Sequence, residues 1–158
     1  MDGKIPITKT GLERIKRELH NLTSVQRPQV QRAIAEAREH GDLKENAEYH
    51  AAKEQQSFIE GRIQELNSKL AKFHVVDPAR QESGKVTFGA TVNMQNVETE
   101  EEMFYQIVGP DEADLSENRI SYLSPVAKAL IGKEEGDVVQ VTAPKGKIEV
   151  EITRIRYS

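Results

Sequence analysis

Two apolar stripes in the first half of this chain, each with residues three and four apart and separated by a short polar reversal, constrain its fold more than any other feature. Leu12, Ile15, Leu19 and Leu22 open the first stripe. The second carries Leu43, Ala47, Ala51, Ala52, Gln55, Ile59, Ile63, Leu66, Leu70 and Phe73. This spacing collects apolar side chains along one side of an α-helix, so each stripe needs a partner helix to cover it. Thr10 and Glu13 read as a capping box that starts the first helix. A strict heptad from Leu22 would bring Gln26 and Gln29 into the seam, whereas the apolar residues are Val25, Val30, Ala33, Ile34 and Ala37. The stripe therefore shifts around Pro28, where a missing N–H and a crowding ring predict a bend. His40-Gly41-Asp42 supplies a C-cap glycine and an N-cap aspartate, hence a sharp reversal. The pattern predicts an antiparallel helical hairpin, with arms of about 29 residues that span ~43 Å at 1.5 Å per residue. Small residues concentrate towards its turn.

After Val75-Val76-Asp77-Pro78 the period changes. Ala79–Lys85 reads as a polar linker, followed by strand-like runs at Val86–Met94, Met103–Val108, Arg119–Leu123, Val138–Thr142 and Ile148–Ile155. Ala143-Pro144-Lys145-Gly146 reads as a hairpin turn. Ser124-Pro125 opens a short helix that ends at Ile131-Gly132, with Pro125 where a missing N–H costs least. The expected class is α+β, with a helical hairpin over residues 1–76 and a small, mainly antiparallel sheet crossed by one short helix over residues 77–158.

Composition narrows the function classes. The chain is 37% hydrophobic and 30% charged over 158 residues, lean in core-forming material, as a long exposed hairpin requires. It has no cysteine, which removes disulfide frameworks and thiolate metal sites and leaves histidine and carboxylates as metal ligands. No signal-peptide run or membrane-length apolar segment is visible, so a soluble, cytoplasmic protein without a membrane partner is expected. Residues 1–76 carry 13 Lys/Arg against 11 Asp/Glu, and residues 77–158 carry 9 against 15. An acidic chain of net charge −4 lacks the phosphate-contacting cations that drive free-standing nucleic-acid binding, so any nucleic acid must be reached through a partner.

The segment EAREHGDLKENAEYHAAKEQQ, Glu36–Gln56, concentrates the chemistry. Asp42 and Glu45 stand three apart at an expected helix start, where their carboxylates can approach one hard cation such as Mg²⁺. Two ligands at an exposed apex make a partial site that a partner must complete. The same pair also reads as an N-cap with a compensating N3 carboxylate, and spacing leaves both readings open. His40 and His50 suggest a third, self-contained His/carboxylate site, but their spacing matches no metalloenzyme pattern. Arg38, Lys44 and Lys53 are candidates for phosphate contacts, against ordinary pairing with Glu36, Glu39, Glu48 and Glu54. Tyr49 is a candidate for stacking on a base. The second half shows no Ser/His/Asp arrangement or glycine-rich phosphate loop, and Gly132–Asp137 reads as a tight connection.

These residues resemble the bacterial transcript cleavage factors of the GreA type. The resemblance rests on AREHGDLKENAEYHAAKEQQ from Ala37, FGATV from Phe88, IVGPDEAD from Ile107 and ISYLSPVAKALIGKEEGD from Ile120, and it covers nearly the whole chain. It implies an N-terminal antiparallel coiled coil and a C-terminal FKBP-like domain, in a fold-label sense without isomerase activity. It further implies a monomeric accessory factor, not itself an enzyme, that enters the secondary channel of bacterial RNA polymerase and stimulates cleavage of the backtracked nascent RNA 3′ end. By position, Asp42 and Glu45 would help hold a second Mg²⁺ in the complex and position the attacking water, with no cofactor bound in isolation. Arg38, Lys44 and Lys53 would guide the RNA, and Leu123, Ser124 and Pro125 would dock on polymerase. The family also includes paralogues that inhibit transcription and have altered acidic tips. The D-L-K-E arrangement here implies the cleavage-competent side. The rivals are a secondary-channel regulator that does not stimulate cleavage and a free-standing metal-dependent nuclease.

Overall fold

A computed structural model describes residues 4–41, 46–77, 83–143 and 146–157. In chain order its elements are β1 (Ile5–Ile7), α1 (Lys9–Asn21), a π-helical run (Leu22–Gln26), α2 (Arg27–Arg38), α3 (Ala47–Leu70), β2 (Phe73–Val75), β3 (Thr91–Asn96), β4 (Glu102–Val108), a 3₁₀ turn (Leu115–Glu117), β5 (Arg119–Ser121), α4 (Pro125–Leu130), β6 (Val138–Ala143) and β7 (Gly146–Arg156). The chain is α+β. Leu12–Phe73 forms one compact unit, and the stretch up to Gly11 joins the residues from His74 onward in a second.

In the helical unit, α2 packs on α3, and the buried seam comprises Ile15, Leu22, Val30, Ile34 and Ala37 opposite Ala52, Ile59, Ile63 and Leu66. Two bidentate pairs tie the arms together: Arg62 Nε and Nη2 to Glu18 at 2.7 and 2.9 Å, and Arg27 Nε and Nη2 to Glu60, both at 2.8 Å. Such fork-to-carboxylate geometry fixes register as well as adding energy. The shift in the first stripe has a specific cause. Leu22 and Val30 stand eight apart where a heptad allows seven, and the π-helical run absorbs the extra residue, with Arg27 N donating to Leu22 O, five residues back. The helical path thus continues through Pro28, with the adjustment placed just before it. Val25, expected near the seam, is 43% exposed for the same reason. On the second arm Ala47, Ala51 and Gln55 are exposed and Ala52 is the buried small residue.

The cap of the first helix lies two residues earlier than the expected capping box at Thr10. α1 begins at Lys9, and Thr8 is its cap, its hydroxyl accepting from Gly11 N at 3.0 Å. The short strands β1 and β2, which pair in a two-stranded sheet, were not predicted, because three residues carry too little alternation to register.

The second unit is built on a five-stranded sheet of order β5-β4-β3-β7-β6, antiparallel except for the β4–β5 pair. Its core gathers Val86, Ala90, Val92, Met94, Ile107, Ile120, Ala127, Leu130, Val139, Val141, Val150, Ile152 and Ile155. α4 packs against β6 and contributes Ala127 and Leu130. On β7 the inward residues run 150, 152, 155, an alternation broken by one extra residue. The break coincides with a bulge: Asn93 pairs with Arg154 and Met94 with Ile152, so Thr153 is skipped and Ile155 still faces the core. The strand expected from Val86 begins only at Thr91. Val86 is fully buried, but Gly89, at φ +87°, turns the backbone first and donates its amide to Ile107 O at 2.7 Å. The expected hairpin turn has Ala143 paired with Gly146 at its ends, while Pro144 and Lys145 lie outside the described residues, as does most of the expected linker.

Candidate functional site: the apex of the helical hairpin

The apex is bounded by the end of α2 and the start of α3. At the C-terminal end of α2, Glu39 N donates to Glu36 O and His40 N to Ala37 O, both at 3.1 Å. Gly41 follows at φ +117°, a conformation that L side chains rarely adopt and that redirects the chain just beyond the helix. On the far side Asn46, in extended backbone, caps α3: its side-chain oxygen accepts from Tyr49 N at 3.0 Å. Asn46 Nδ2 also donates across the reversal to Ala37 O at 2.5 Å. One side chain therefore starts the second helix and fastens it to the end of the first.

This arrangement corrects one expectation. Asp42 was a candidate N-cap of the second helix, with Glu45 at N3; α3 starts at Ala47, and its cap is Asn46. Asn caps a helix about as well as Asp, so Asn46 can take over the role four residues further on. Asp42, Lys44 and Glu45 themselves lie outside the described residues, as does Leu43.

The neighbouring cations are described. Arg38 is exposed, and its guanidinium lies 6.0 Å from the centroid of the Tyr49 ring, at the range of a cation–π contact. Lys53 is exposed and donates to Gln56 Oε1 at 3.3 Å. Among the described residues neither forms an ion pair; Glu48 faces His40, at a loose 3.9 Å. The Tyr49 and His50 rings meet in a T-shaped arrangement, with centroids 5.6 Å apart. The structure thus gathers Arg38, Tyr49 and Asn46 at the apex and leaves Lys53 further along α3. Among the described residues no group of three or more His, Asp or Glu could hold a metal ion, so the self-contained histidine site finds no support there. No described helix is long and apolar enough to cross a membrane.

Leu123, Ser124 and Pro125 lie in the other unit, at the entry to α4. Ser124 caps that helix, its hydroxyl accepting from Ala127 N at 3.2 Å, and Pro125 takes the first helical position. Leu123 is 51% exposed, and its N–H donates to Ser121 Oγ at 3.1 Å. The local bonds explain why this loop is ordered; they leave the Leu123 side chain and Pro125 at the surface.

Comparison with known proteins covers both halves of the chain. Residues 5–75 match the model described as transcription elongation factor, N-terminal, and residues 81–157 match that for the C-terminal part of transcription elongation factor GreA/GreB. Transcription elongation factor GreA of Alkalilimnicola ehrlichii is 58% identical over 157 residues, 99% of each chain. The protein of that name from Halorhodospira halophila is 59% identical over 156 residues, 98% of this chain and 99% of its own. Among solved structures, GreA factor homolog 1 of Thermus thermophilus is 29% identical over 97% of this chain and 99% of its own, with a TM-score of 0.44. With family matches across both halves and relatives near 60% identity end to end, this chain belongs to the GreA/GreB family of transcription elongation factors.

Proposed function

We propose that this chain is a transcript cleavage factor that works inside RNA polymerase, and that the hairpin apex is its working part. The observation that carries the reading is the cap of α3: because Asn46 supplies it, the D-L-K-E segment before Asn46 is not needed to start the helix. Two carboxylates, Asp42 and Glu45, fall in the sequence between Gly41 and Asn46, next to the exposed Arg38, a set of groups suited to anionic RNA near a metal centre. Relatives at 58% and 59% identity, both named elongation factors, favour this over a channel regulator that does not stimulate cleavage.

The division of labour follows the two halves. Residues 1–76 provide the hairpin, read as a coiled coil on the seven-residue intervals of Ile15 to Leu22 and Ala52 to Ile59, and residues 77–158 provide an FKBP-like docking domain. Leu123, Ser124 and Pro125 are the docking candidates, and the hairpin enters the secondary channel. The chain acts as a monomer in the cytoplasm, with no hydrolytic activity of its own. It reaches nucleic acid only within the polymerase complex, at the extruded RNA 3′ segment.

The donor set fits half of a Mg²⁺ site: two hard carboxylates, with the remaining positions left for polymerase carboxylates, water and phosphate. Bound between the two proteins, the ion would activate water and stabilise charge on the phosphodiester. Asp42 and Glu45 hold that position and orient the attacking water. Arg38, Lys44 and Lys53 guide the RNA backbone, and Tyr49, held beside Arg38, offers a ring face to an unstacked base.

A stalled, backtracked elongation complex tests this directly. Wild type should accelerate RNA shortening, whereas Asp42→Ala and Glu45→Ala lose most of the acceleration while still binding polymerase. Normal cleavage by the alanine variants would refute the carboxylate role, and shortening of free RNA without polymerase would point to the nuclease instead.

A further inference from the structure

Among the described residues, Thr8 and Glu112 are the buried polar side chains, at 6% and 7% exposure, and they bond to each other across 104 positions of sequence. Glu112 sits in the turn after β4, where its own N–H donates to Gly109 O at 3.0 Å. Its Oε2 accepts from Gly109 N at 3.0 Å and from Thr8 N at 3.1 Å, and its Oε1 accepts from the Thr8 hydroxyl. Thr8 is the cap of α1, so one hydroxyl accepts from Gly11 N and donates to Glu112. Burying a carboxylate is costly unless donors satisfy it. Here three donors do so, at a helix N-terminus whose dipole favours negative charge.

The neighbouring glycines belong to the same construction. A Cβ on Gly11 would overlap the Glu112 carboxyl group, and one on Gly109 would overlap the backbone oxygen of Pro6. The chain therefore leaves room for the carboxylate on the α1 side and for close approach of β1 on the β4 side. Neither Thr8 nor Glu112 belongs to the apolar core of the five-stranded sheet. Removal of this clamp should disturb the root of α1 while leaving that core in place.

We propose that Glu112 is a positioning residue for transcript cleavage. It fastens the first turn of α1 to the turn after β4, and so holds the root of the helix that leads into the hairpin. This rests on the function proposed above. The test titrates backtracked elongation complexes with wild type, E112A, E112Q, G11A and the G11A/E112A double variant. E112A should keep the half-saturating concentration, because docking is intact, while the cleavage rate at saturation falls about 10-fold or more, as expected when a reacting group is misplaced by a fraction of its reach. E112Q, which keeps the shape and one acceptor oxygen, should fall between. G11A should resemble E112A, and the double variant should be no worse than either, since both break one clamp. A residue that merely stabilised the fold would shift half-saturation and leave the saturating rate unchanged, and that result would overturn the proposal. Amide hydrogen exchange decides the clamp independently of cleavage: Gly11 should exchange faster in E112A while Ile59–Leu66 is unchanged. Unchanged Gly11 exchange would also overturn it. If wild type fails to stimulate cleavage, the proposed function falls, and the exchange result still decides whether the clamp exists.

Discussion

Replacing Asn46 with alanine removes two hydrogen bonds at once, the cap to Tyr49 N at 3.0 Å and the strap to Ala37 O at 2.5 Å. Loss of an N-cap costs about 1 kcal/mol, and a single intramolecular hydrogen bond contributes about the same. Asn46 is half-buried, so water compensates part of the loss, and a total of about 1–2 kcal/mol is expected. That corresponds to an increase of roughly 5- to 30-fold in the open population of the first turn of α3. Amide exchange at Tyr49 reads this locally, and urea unfolding reads it for the helical unit. Asn46→Asp keeps the cap oxygen and loses the strap donor, so it should lie between alanine and wild type. Asp42→Ala, by contrast, should change stability by no more than about 0.5 kcal/mol, because Asn46 supplies the cap of α3. Unchanged Tyr49 exchange in Asn46→Ala, or an equal increase in Asp42→Ala, would return the capping role to Asp42.

Two further outcomes follow from the hairpin. The Arg27 guanidinium, hydrogen-bonded to Glu60, holds that carboxyl below its ordinary value of 4.5. A lowered folded value means stability that is present above 4.5 and lost as the pH falls through the folded value, so the urea midpoints of wild type and Glu60→Gln should converge on acidification from 4.5; divergence would contradict the pair's role. Deleting Ser24 together with Pro28→Ala should leave the urea midpoint near wild type, because Leu22 and Val30 then stand seven apart in a continuous α-helix. Deleting Arg32 instead turns Ile34 and Ala37 about 100° away from the seam and should cost roughly 2 kcal/mol or more.

The hairpin was legible because burial against one partner imposes a period, and Ile15, Leu22, Ile59, Ile63 and Leu66 display it. The same period revealed one residue too many between Leu22 and Val30, but a surplus residue does not say whether a bend, a bulge or a π-turn absorbs it. Caps were harder. Thr8 was passed over for Thr10 because its decisive partner, Glu112, lies 104 residues away, and no local pattern carries that information. Asn46 was missed because the contact that fastens it to Ala37 is tertiary and leaves no local pattern. In the sheet, Val86 reads as a strand residue and is fully buried, yet it lies outside the strands, its backbone bonded to Gly132 and Lys133 in the connection after α4. The role of the apex was legible only through family resemblance, since spacing left metal binding and capping side by side.

If Asp42 serves chemistry in the polymerase complex, Asp42→Asn isolates that role, since asparagine caps a helix as well as aspartate does but carries no charge for a cation. The decisive measurement is the RNA cleavage rate of a backtracked elongation complex at saturating factor, compared between wild type and Asp42→Asn with melting temperatures measured alongside. An unchanged melting temperature and loss of most of the stimulated rate are expected. Cleavage by Asp42→Asn at the wild-type rate would rule out a chemical role for the carboxylate.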